Sequence, residues 1–195
     1  MTASVAVGVL ASGRGTNLVN LVSRGYRVVA VATNRPSCGA AAFARDGGLP
    51  LAEFPQSRHP SAEARDAAMC GWLCDRGVEV VVNAGYDRIL TPGFVAAFRG
   101  RILNLHPSLL PAFAGSMDAV SQALAHGVKI TGCTVHVVTD QVDAGPILLQ
   151  AAVPVLEGDT HEALLARIQV EERRILPEAI ELLAERIQDG APLRR

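Results

Sequence analysis

Short apolar runs alternate with helix-like segments along the first half of the chain. Residues 5–10, 26–33 and 79–84 are rich in Val and are bounded by Gly, Asn or Asp. Near-continuous hydrophobic strands of this kind are typical of parallel sheets that helices cover on both faces. Helices are expected between them at residues 17–24, 39–46 and 61–76. The pattern therefore predicts an α/β protein with a Rossmann-like, mostly parallel sheet.

The remaining elements are less regular. A weak strand at 51–54 precedes a loop at 55–60, and a short helix from 92 to 98 leads into a strand that ends at Asn104. Apolar or alternating runs at 130–138 and 147–155 predict two strands that flank a polar loop at 139–146. No repeat or low-complexity linker interrupts the chain, so we expect a single domain over residues 1–195.

A long C-terminal helix is expected over residues 160–187. Thr160 should be its N-cap, and Pro177 should bend or divide it. The predicted buried stripe of this helix consists of Leu164, Leu165, Ile168, Ile175, Ile180 and Leu183.

Composition favours a soluble protein with a substantial core. The chain has 195 residues, 49% of them hydrophobic and 19% charged, and its formal net charge is −1. No basic run is interleaved with aromatic residues, so no nucleic-acid partner is expected. The start of the chain lacks the basic residues of a signal peptide, and no apolar stretch approaches membrane-spanning length. We expect a cytoplasmic protein with no membrane partner.

The four cysteines fit a reducing compartment. Neither a Cys-x-x-Cys motif nor a Cys/His spacing typical of a metal site occurs. Cys70 and Cys74 lie one helical turn apart, where small buried core residues are the favoured interpretation.

Residues 104–111, with the sequence Asn-Leu-His-Pro-Ser-Leu-Leu-Pro, carry the strongest functional signal. Asn104 and His106 are two residues apart at the end of an apolar strand, so their side chains project to the same side of an extended backbone. An amide donor and a titratable imidazole would then share one small volume, as in an active site. A hydrogen-bonded core histidine beside a loop-capping asparagine is the alternative, and the pair alone leaves both open.

The turn after the first strand reads Ser-Gly-Arg-Gly-Thr-Asn at residues 12–17. Glycines let a backbone turn tightly and approach a ligand, while Thr16 and Asn17 place donors at the positive end of the following helix. A phosphate would fit there. The full dinucleotide-binding motif is absent, and Gly-x-Gly after a strand also occurs as a simple tight turn.

Other polar residues extend the candidate site. Asp140 or Asp143, in the loop at 139–146, would orient His106 and raise its pKa, although turns also use Asp for local hydrogen bonds. His136 is expected to be a buried, hydrogen-bonded strand residue that supports the site. On the last helix, Gln169 and Glu172 share a face and either meet a ligand or belong to an exposed polar surface.

Five segments together resemble one family over nearly the whole chain. They are the glycine loop at 12–18, residues 83–90, residues 104–111, the strand segment 132–136 and the loop at 138–146. The combination is similar to the phosphoribosylglycinamide formyltransferases, which belong to the folate-dependent formyltransferases. The resemblance implies a single formyltransferase-type domain that transfers the formyl group of 10-formyltetrahydrofolate to the amine of glycinamide ribonucleotide in purine biosynthesis.

The resemblance also implies roles for individual residues. Asn104, His106 and Asp143 would be catalytic: Asn104 and protonated His106 would stabilise the oxyanion, and Asp143 would hold the imidazolium and help to move the proton. No metal would be needed, and the protein would be a monomer or a homodimer. The ribose phosphate end of the substrate would contact Gly15, Thr16, Asn17, Gln169 and Glu172. Folate would contact Asp87, Arg88, Ile89, Leu90, Asn104, Asp140 and Val142.

Three positions depart from the family pattern. Ala62 stands where many members have an Arg that helps to bind the folate tail, so either Arg58 or Arg65 substitutes for it or the affinity for folate differs. Asp87 replaces an apolar residue at the edge of the folate pocket. Residues 113–120 have one extra residue and lack the usual His. Hydrolysis of the formyl-folate, formyl transfer to another amine, or folate binding without catalysis are therefore alternative functions.

Overall fold

A computed structural model describes residues 5–190. By its internal contacts the chain groups into two compact units, with the division between Leu103 and Asn104. The first unit contains β1 (Val7–Leu10), α1 (Thr16–Ser23), β2 (Val28–Thr33), α2 (Gly39–Asp46), β3 (Leu51–Glu53), a 3₁₀ helix (Gln56–Arg58), α3 (Ala62–Asp75), β4 (Val80–Asn83), α4 (Pro92–Ala97) and the start of β5 (Ile102–His106). The second contains the end of β5, α5 (Ala119–Ala125), β6 (Ile130–Val137), β7 (Ile147–Pro154) and α6 (His161–Gln188).

The first unit is built on parallel strands in the order β3-β2-β1-β4, followed by the first residues of β5. All four residues of β1 are buried. Because neighbouring strand residues point to opposite faces, burial of the whole strand means that both faces of the sheet are covered. The predicted parallel sheet is therefore confirmed, and its elements begin and end within about two residues of their predicted bounds.

In the second unit the order continues as β5-β6-β7. β6 and β7 are antiparallel, with Ile130 opposite Pro154 and a register shift between Val135 and His136. Gly132 is required in this pairing, because a Cβ atom at that position would lie 1.9 Å from the carbonyl oxygen of Ala151. Helix α6 packs against both strands.

Capping residues set the starts of the longer helices. Ser61 accepts a hydrogen bond from the Ala64 N–H at 3.2 Å at the start of α3. Thr160, the predicted N-cap of α6, accepts one from the Ala163 N–H at 3.2 Å. Each bond satisfies a backbone donor that the first helical turn leaves without a partner.

The structure corrects several predictions about local order and burial. Pro177 does not divide α6, which is one helix from His161 to Gln188. Pro177 itself is buried, and packing of the apolar stripe on either side of it offsets the lost hydrogen bond. Within the stripe, Leu165 is only half-buried.

Cys74 is exposed rather than buried, because it lies on the outer side of α3. Helix α5 was not predicted, since seven residues give a weak periodic signal.

Among residues 5–190, no helix is both long and apolar enough to cross a membrane.

Candidate active site

The end of β5 presents the two polar residues that the sequence singled out. β5 runs to His106, so both Asn104 and His106 lie in extended backbone, as predicted. His106 is 5% exposed. Both side chains reach the same carboxylate: Asn104 Nδ2 lies 3.3 Å from Asp143 Oδ1, and His106 Nδ1 lies 3.3 Å from Asp143 Oδ2. The structure therefore brings together the three residues that the sequence predicted to be catalytic.

Asp143 occupies a strained position in the loop between β6 and β7. Its φ angle is +50°, a left-handed conformation that non-glycine residues rarely adopt. The Gly115 N–H donates to its Oδ2 at 2.9 Å. The pKa of Asp143 is lowered to about 2 by its contacts with His136, Gly115 and His106, which outweigh the opposing effect of burial. The carboxylate is therefore ionised at neutral pH.

The segment after β5 contacts the same pair. His106 Nε2 lies 3.1 Å from the carbonyl oxygen of Phe113, a residue that also has a left-handed φ of +58°. Both neighbours of the His106 ring, Phe113 O and Asp143 Oδ2, are acceptors and so favour a doubly protonated ring. Burial has the larger effect, and the pKa of His106 lies below its ordinary value. Burial therefore favours the neutral ring: Asp143 raises the pKa of His106 as predicted, but the net shift is downward.

His136 lies behind the trio and is 2% exposed. Its Nε2 is 3.0 Å from Asn104 Nδ2, which only donates, and 3.4 Å from Asp143 Oδ1, which only accepts. The protonation state of this ring therefore decides which of the two contacts is a hydrogen bond. The expectation of a buried, hydrogen-bonded strand histidine is confirmed.

In the first unit, the loop after β1 is shaped by glycine. Gly15 has a φ of +80° and is the N-cap of α1, where no side chain caps the helix. A Cβ atom at Gly15 would lie 2.7 Å from the Cα atom of Ala40. The Ala40 N–H donates to the Gly13 carbonyl at 3.1 Å, which holds the loop against α2. Thr16 is half-buried and Asn17 is buried at the start of α1. A backbone of this shape before a helix is suited to bind an anion.

The segment after β4 contains the predicted folate contacts. Arg88 and Ile89 are exposed, Ile89 by 75%, whereas Leu90 is buried. Both carboxylate oxygens of Asp87 are engaged by protein groups, through Ser12, Asn34 and Arg35. In the second unit, Asp140 and Val142 are exposed in the loop between β6 and β7. Of the two aspartates in this loop, Asp143 is the one that contacts His106.

Helix α6 places Glu172 in the interior. Glu172 is 8% exposed and Gln169 is half-buried, so the alternative of an exposed polar surface is wrong for Glu172. Burial, together with the negative charge of Glu172, raises the pKa of Cys133 on β6 to about 12.

The two arginines proposed to meet a folate tail differ in accessibility. Arg65 is 2% exposed and donates to Asp66 at 2.8 Å and to Gln56 at 3.0 Å, so it is committed to the interior. The side chain of Arg58 is 65% exposed and lies 3.8 Å from Glu53. Of the two, only Arg58 is accessible to a ligand.

Within residues 5–190, no group of three or more His, Cys, Asp and Glu residues is arranged to hold a metal ion.

Comparison with known protein families identifies the family of this chain. The family described as formyl transferase matches residues 5–180. The chain belongs to the formyl transferase family. The resemblance predicted from the five segments is therefore confirmed.

Three relatives within the formyl transferase family show how similar this chain is to known proteins. Phosphoribosylglycinamide formyltransferase from Mycobacterium tuberculosis is 46% identical over 181 residues, covering 90% of this chain and 83% of that protein. The enzyme of the same name from Escherichia coli K12 is 39% identical over 184 residues, covering 91% and 86%. The crystal structure of glycinamide ribonucleotide transformylase 1 from Symbiobacterium toebii is 49% identical, with a TM-score of 0.90 over 95% of this chain and 90% of that one.

Sequence reasoning missed the backbone partners of the trio, Phe113 and Gly115, and the side chains that surround Asp87. Backbone groups carry no residue-specific signal, so the first omission was unavoidable. Asn34 and Arg35, in contrast, could have been found from the sequence. They directly follow β2, at the carboxyl end of a parallel strand, where ligand sites form in α/β proteins.

Proposed function

We propose that this protein transfers the formyl group of 10-formyltetrahydrofolate to the amine of glycinamide ribonucleotide, a step of purine biosynthesis. The observation that carries the proposal is the single carboxylate of Asp143 shared by Asn104 and His106 at 3.3 Å each. Membership of the formyl transferase family and the names of its relatives support the choice of substrates. We infer that the protein works in the cytoplasm on small molecules alone, as a monomer or a homodimer.

In the reaction, the amine nitrogen attacks the formyl carbon and a negative charge develops on the formyl oxygen. The amide of Asn104 donates to this oxyanion, and the ring of His106 does so through Nε2 once it has taken a proton from the attacking amine. His106 Nε2 now faces the Phe113 carbonyl at 3.1 Å, and the formyl oxygen replaces that carbonyl as its acceptor. Each donor of this kind is worth roughly 3–4 kcal/mol in the transition state.

Collapse of the tetrahedral intermediate breaks the bond between the formyl carbon and the folate nitrogen. One proton leaves the attacking amine and one reaches the departing folate nitrogen. A neutral His106 accepts the first proton, and the ionised Asp143 stabilises the imidazolium that forms. The lowered pKa of His106 is consistent with this role, because a ring that is already protonated accepts no proton.

The substrate-binding roles follow the structure of each unit. The loop that ends at Gly15, with Thr16 and Asn17, binds the ribose phosphate at the start of α1. Gln169 and Glu172 bind the ribose and the glycinamide end. Tetrahydrofolate lies against residues 87–90 and residues 140–142, together with Asn104, and no metal takes part.

The test is to follow conversion of 10-formyltetrahydrofolate to tetrahydrofolate spectroscopically, with and without glycinamide ribonucleotide. The proposal requires conversion that depends on the ribonucleotide and yields one formylated product per folate. Conversion without it identifies a hydrolase, and conversion only with a different amine identifies another transferase. Folate binding without any conversion identifies a binding protein, and each of these three results contradicts the proposal.

A further inference from the structure

A polar cluster in the first unit joins three segments that follow neighbouring parallel strands. Ser12 follows β1, Asn34 follows β2, and Asp87 lies beyond the end of β4. β1 lies between β2 and β4 in the sheet, and all three strands run in the same direction. Their carboxyl ends are therefore adjacent, and residues that follow them meet.

The carboxylate of Asp87 is the centre of the cluster. Asn34 Nδ2 donates to its Oδ1 at 2.7 Å, and Ser12 Oγ lies 3.1 Å from the same oxygen. The guanidinium of Arg35 pairs with Oδ2. The backbone N–H of Asp87 donates to Ser12 Oγ at 3.0 Å, so side chain and backbone bind the same serine.

These contacts fix Asp87 in one ionisation state and in one position. Burial raises its pKa, but hydrogen bonds from Asn34 and Ser12, together with the charges of Arg35 and Arg88, outweigh that effect, and the net pKa is lowered. Both carboxylate oxygens therefore already have partners in the protein.

Ser12 begins the loop to which the proposed function assigns the substrate's phosphate. That loop is held against α2 by the Gly13 carbonyl and by Gly15. Asp87 holds it at Ser12, and the Ser12 N–H also donates to the Gly85 carbonyl at 3.1 Å. Gly85 and Asp87, which contribute these groups, lie at the start of the segment 85–90, and the proposed function assigns folate to residues 87–90 of it.

We propose that Asp87 is a positioning residue that holds the phosphate-binding loop and the folate-binding segment in one fixed arrangement, so that its loss weakens binding of both substrates. The inference rests on the proposed function. It differs from the role predicted for Asp87 in the sequence, where the side chain itself contacts folate. Asn104, His106 and Asp143 lie in the second unit, so the chemical step is not expected to change.

The test compares Asp87→Ala with Asp87→Asn, which preserves the shape of the side chain, and with Arg35→Ala, which removes one partner. Asp46→Ala, at an exposed acidic residue of the same unit, is the matched control. For Asp87→Ala the KM values for ribonucleotide and folate should each rise about tenfold, because both sites lose preorganisation. The value of kcat should stay within about threefold, and the Asn and Arg35 variants should show smaller changes in the same direction.

Two further measurements separate positioning from a general loss of structure. Glycinamide riboside lacks the phosphate, so the phosphate-binding loop does not contribute to its binding. For this substrate, Asp87→Ala should raise the KM of the amine substrate by less than about twofold, and any change in kcat/KM should come from the folate site. In the substrate-free protein, amide hydrogen exchange should quicken at residues 12–17 and 85–88 and stay unchanged in α3.

A rise confined to the folate KM contradicts the proposal and assigns Asp87 a direct folate contact. An equal loss with the phosphorylated and unphosphorylated substrates, or a fall in kcat at constant KM, contradicts it as well. If wild-type protein fails to convert the two substrates, the proposed function fails and this inference fails with it. Normal wild-type turnover with an unaffected Asp87→Ala variant overturns the inference alone.

Discussion

The polar clusters centred on Asp87 and on Asp143 differ in their partners. Asp87 is surrounded by an amide, a hydroxyl and the guanidinium of Arg35, none of which changes its charge near neutral pH. Asp143 contacts two imidazoles, those of His106 and His136. Both carboxylates have lowered pKa values. Groups of fixed charge hold a position, whereas an imidazole ring is able to take up and release a proton.

The backbone φ angles also differ between the two clusters. Asp143 and the Phe113 residue that contacts His106 both have left-handed φ angles, which cost roughly 1–2 kcal/mol per residue. In the Asp87 cluster only glycines, such as Gly15, have positive φ. Strain in non-glycine residues is concentrated where the chemistry is proposed.

The largest effect is expected for Asp143→Asn. Removing the charge that stabilises the His106 imidazolium should lower kcat by about 10²–10⁴-fold, while substrate binding stays measurable. Steady-state kinetics with equilibrium binding measures both.

Asp159→Asn is the matched control for that variant. Asp159 lies in the same unit and also has a pKa near 2, but its partner is the guanidinium of Arg167 at 2.8 Å. It should keep its kcat. Loss of substrate binding in Asp143→Asn contradicts the proton-transfer role and makes Asp143 structural.

The next effect is expected for Asn104→Ala. Loss of one oxyanion donor should lower kcat by about 10²–10³-fold with little change in KM. Gln122→Ala, at an exposed amide of α5, is the control and should behave like wild type. An Asn104 variant with normal kcat and a raised KM shows that the amide binds the ground state equally well.

A third prediction concerns the glycine that shapes the phosphate-binding loop. Gly25 and Gly15 have nearly equal φ angles of +78° and +80°, but a Cβ atom at Gly25 meets nothing within 4 Å. Gly25→Ala should cost roughly 1–2 kcal/mol of unfolding free energy. Gly15→Ala should cost at least about 1 kcal/mol more because of the clash with Ala40. Urea denaturation measures the difference, and equal losses show that α2 yields to the added methyl group.

The smallest effect is expected in the dependence of stability on pH. Because the pKa of Asp143 is lowered from 3.8 to about 2, its stabilisation is complete above pH 4 and is lost as the pH falls towards 2. The loss is on the order of 2 kcal/mol. Asp143→Asn should lack it, so the difference in unfolding free energy between wild type and variant should shrink across this window. If the difference in unfolding free energy stays constant over this pH range, the charge of Asp143 does not stabilise the folded protein.

Burial of His106 also makes the folded protein less stable as the pH falls, but in a higher pH range than Asp143 does. Its pKa is lowered, so the neutral form is favoured by folding, and stability is greatest above the ordinary value of 6.5 and declines as the pH falls below it.

Apart from the 3₁₀ helix and α5, the residue pattern predicted the order of elements, and it singled out the polar residues of the proposed site. The periodicity of apolar residues fixes which strands are buried, and the two-residue spacing of Asn104 and His106 fixes a common side of β5. The choice of Asp143 over Asp140 was less certain from the residues alone. It depends on the path of the loop between β6 and β7, which local sequence does not determine.

The sequence by itself determined the α/β class and singled out Asn104 and His106, because periodicity and side-chain chemistry are local properties. The family and the choice of Asp143 came from the resemblance of five sequence segments to a known family. Only the tertiary structure decided the direction of the pKa shift of His106, the burial of Glu172 and the partners of Asp87. Each of these depends on which distant groups a side chain meets and on how much water is excluded from it. The physical reason is that desolvation and contact arise when the chain folds, and neither is a property of a residue or of its neighbours in sequence.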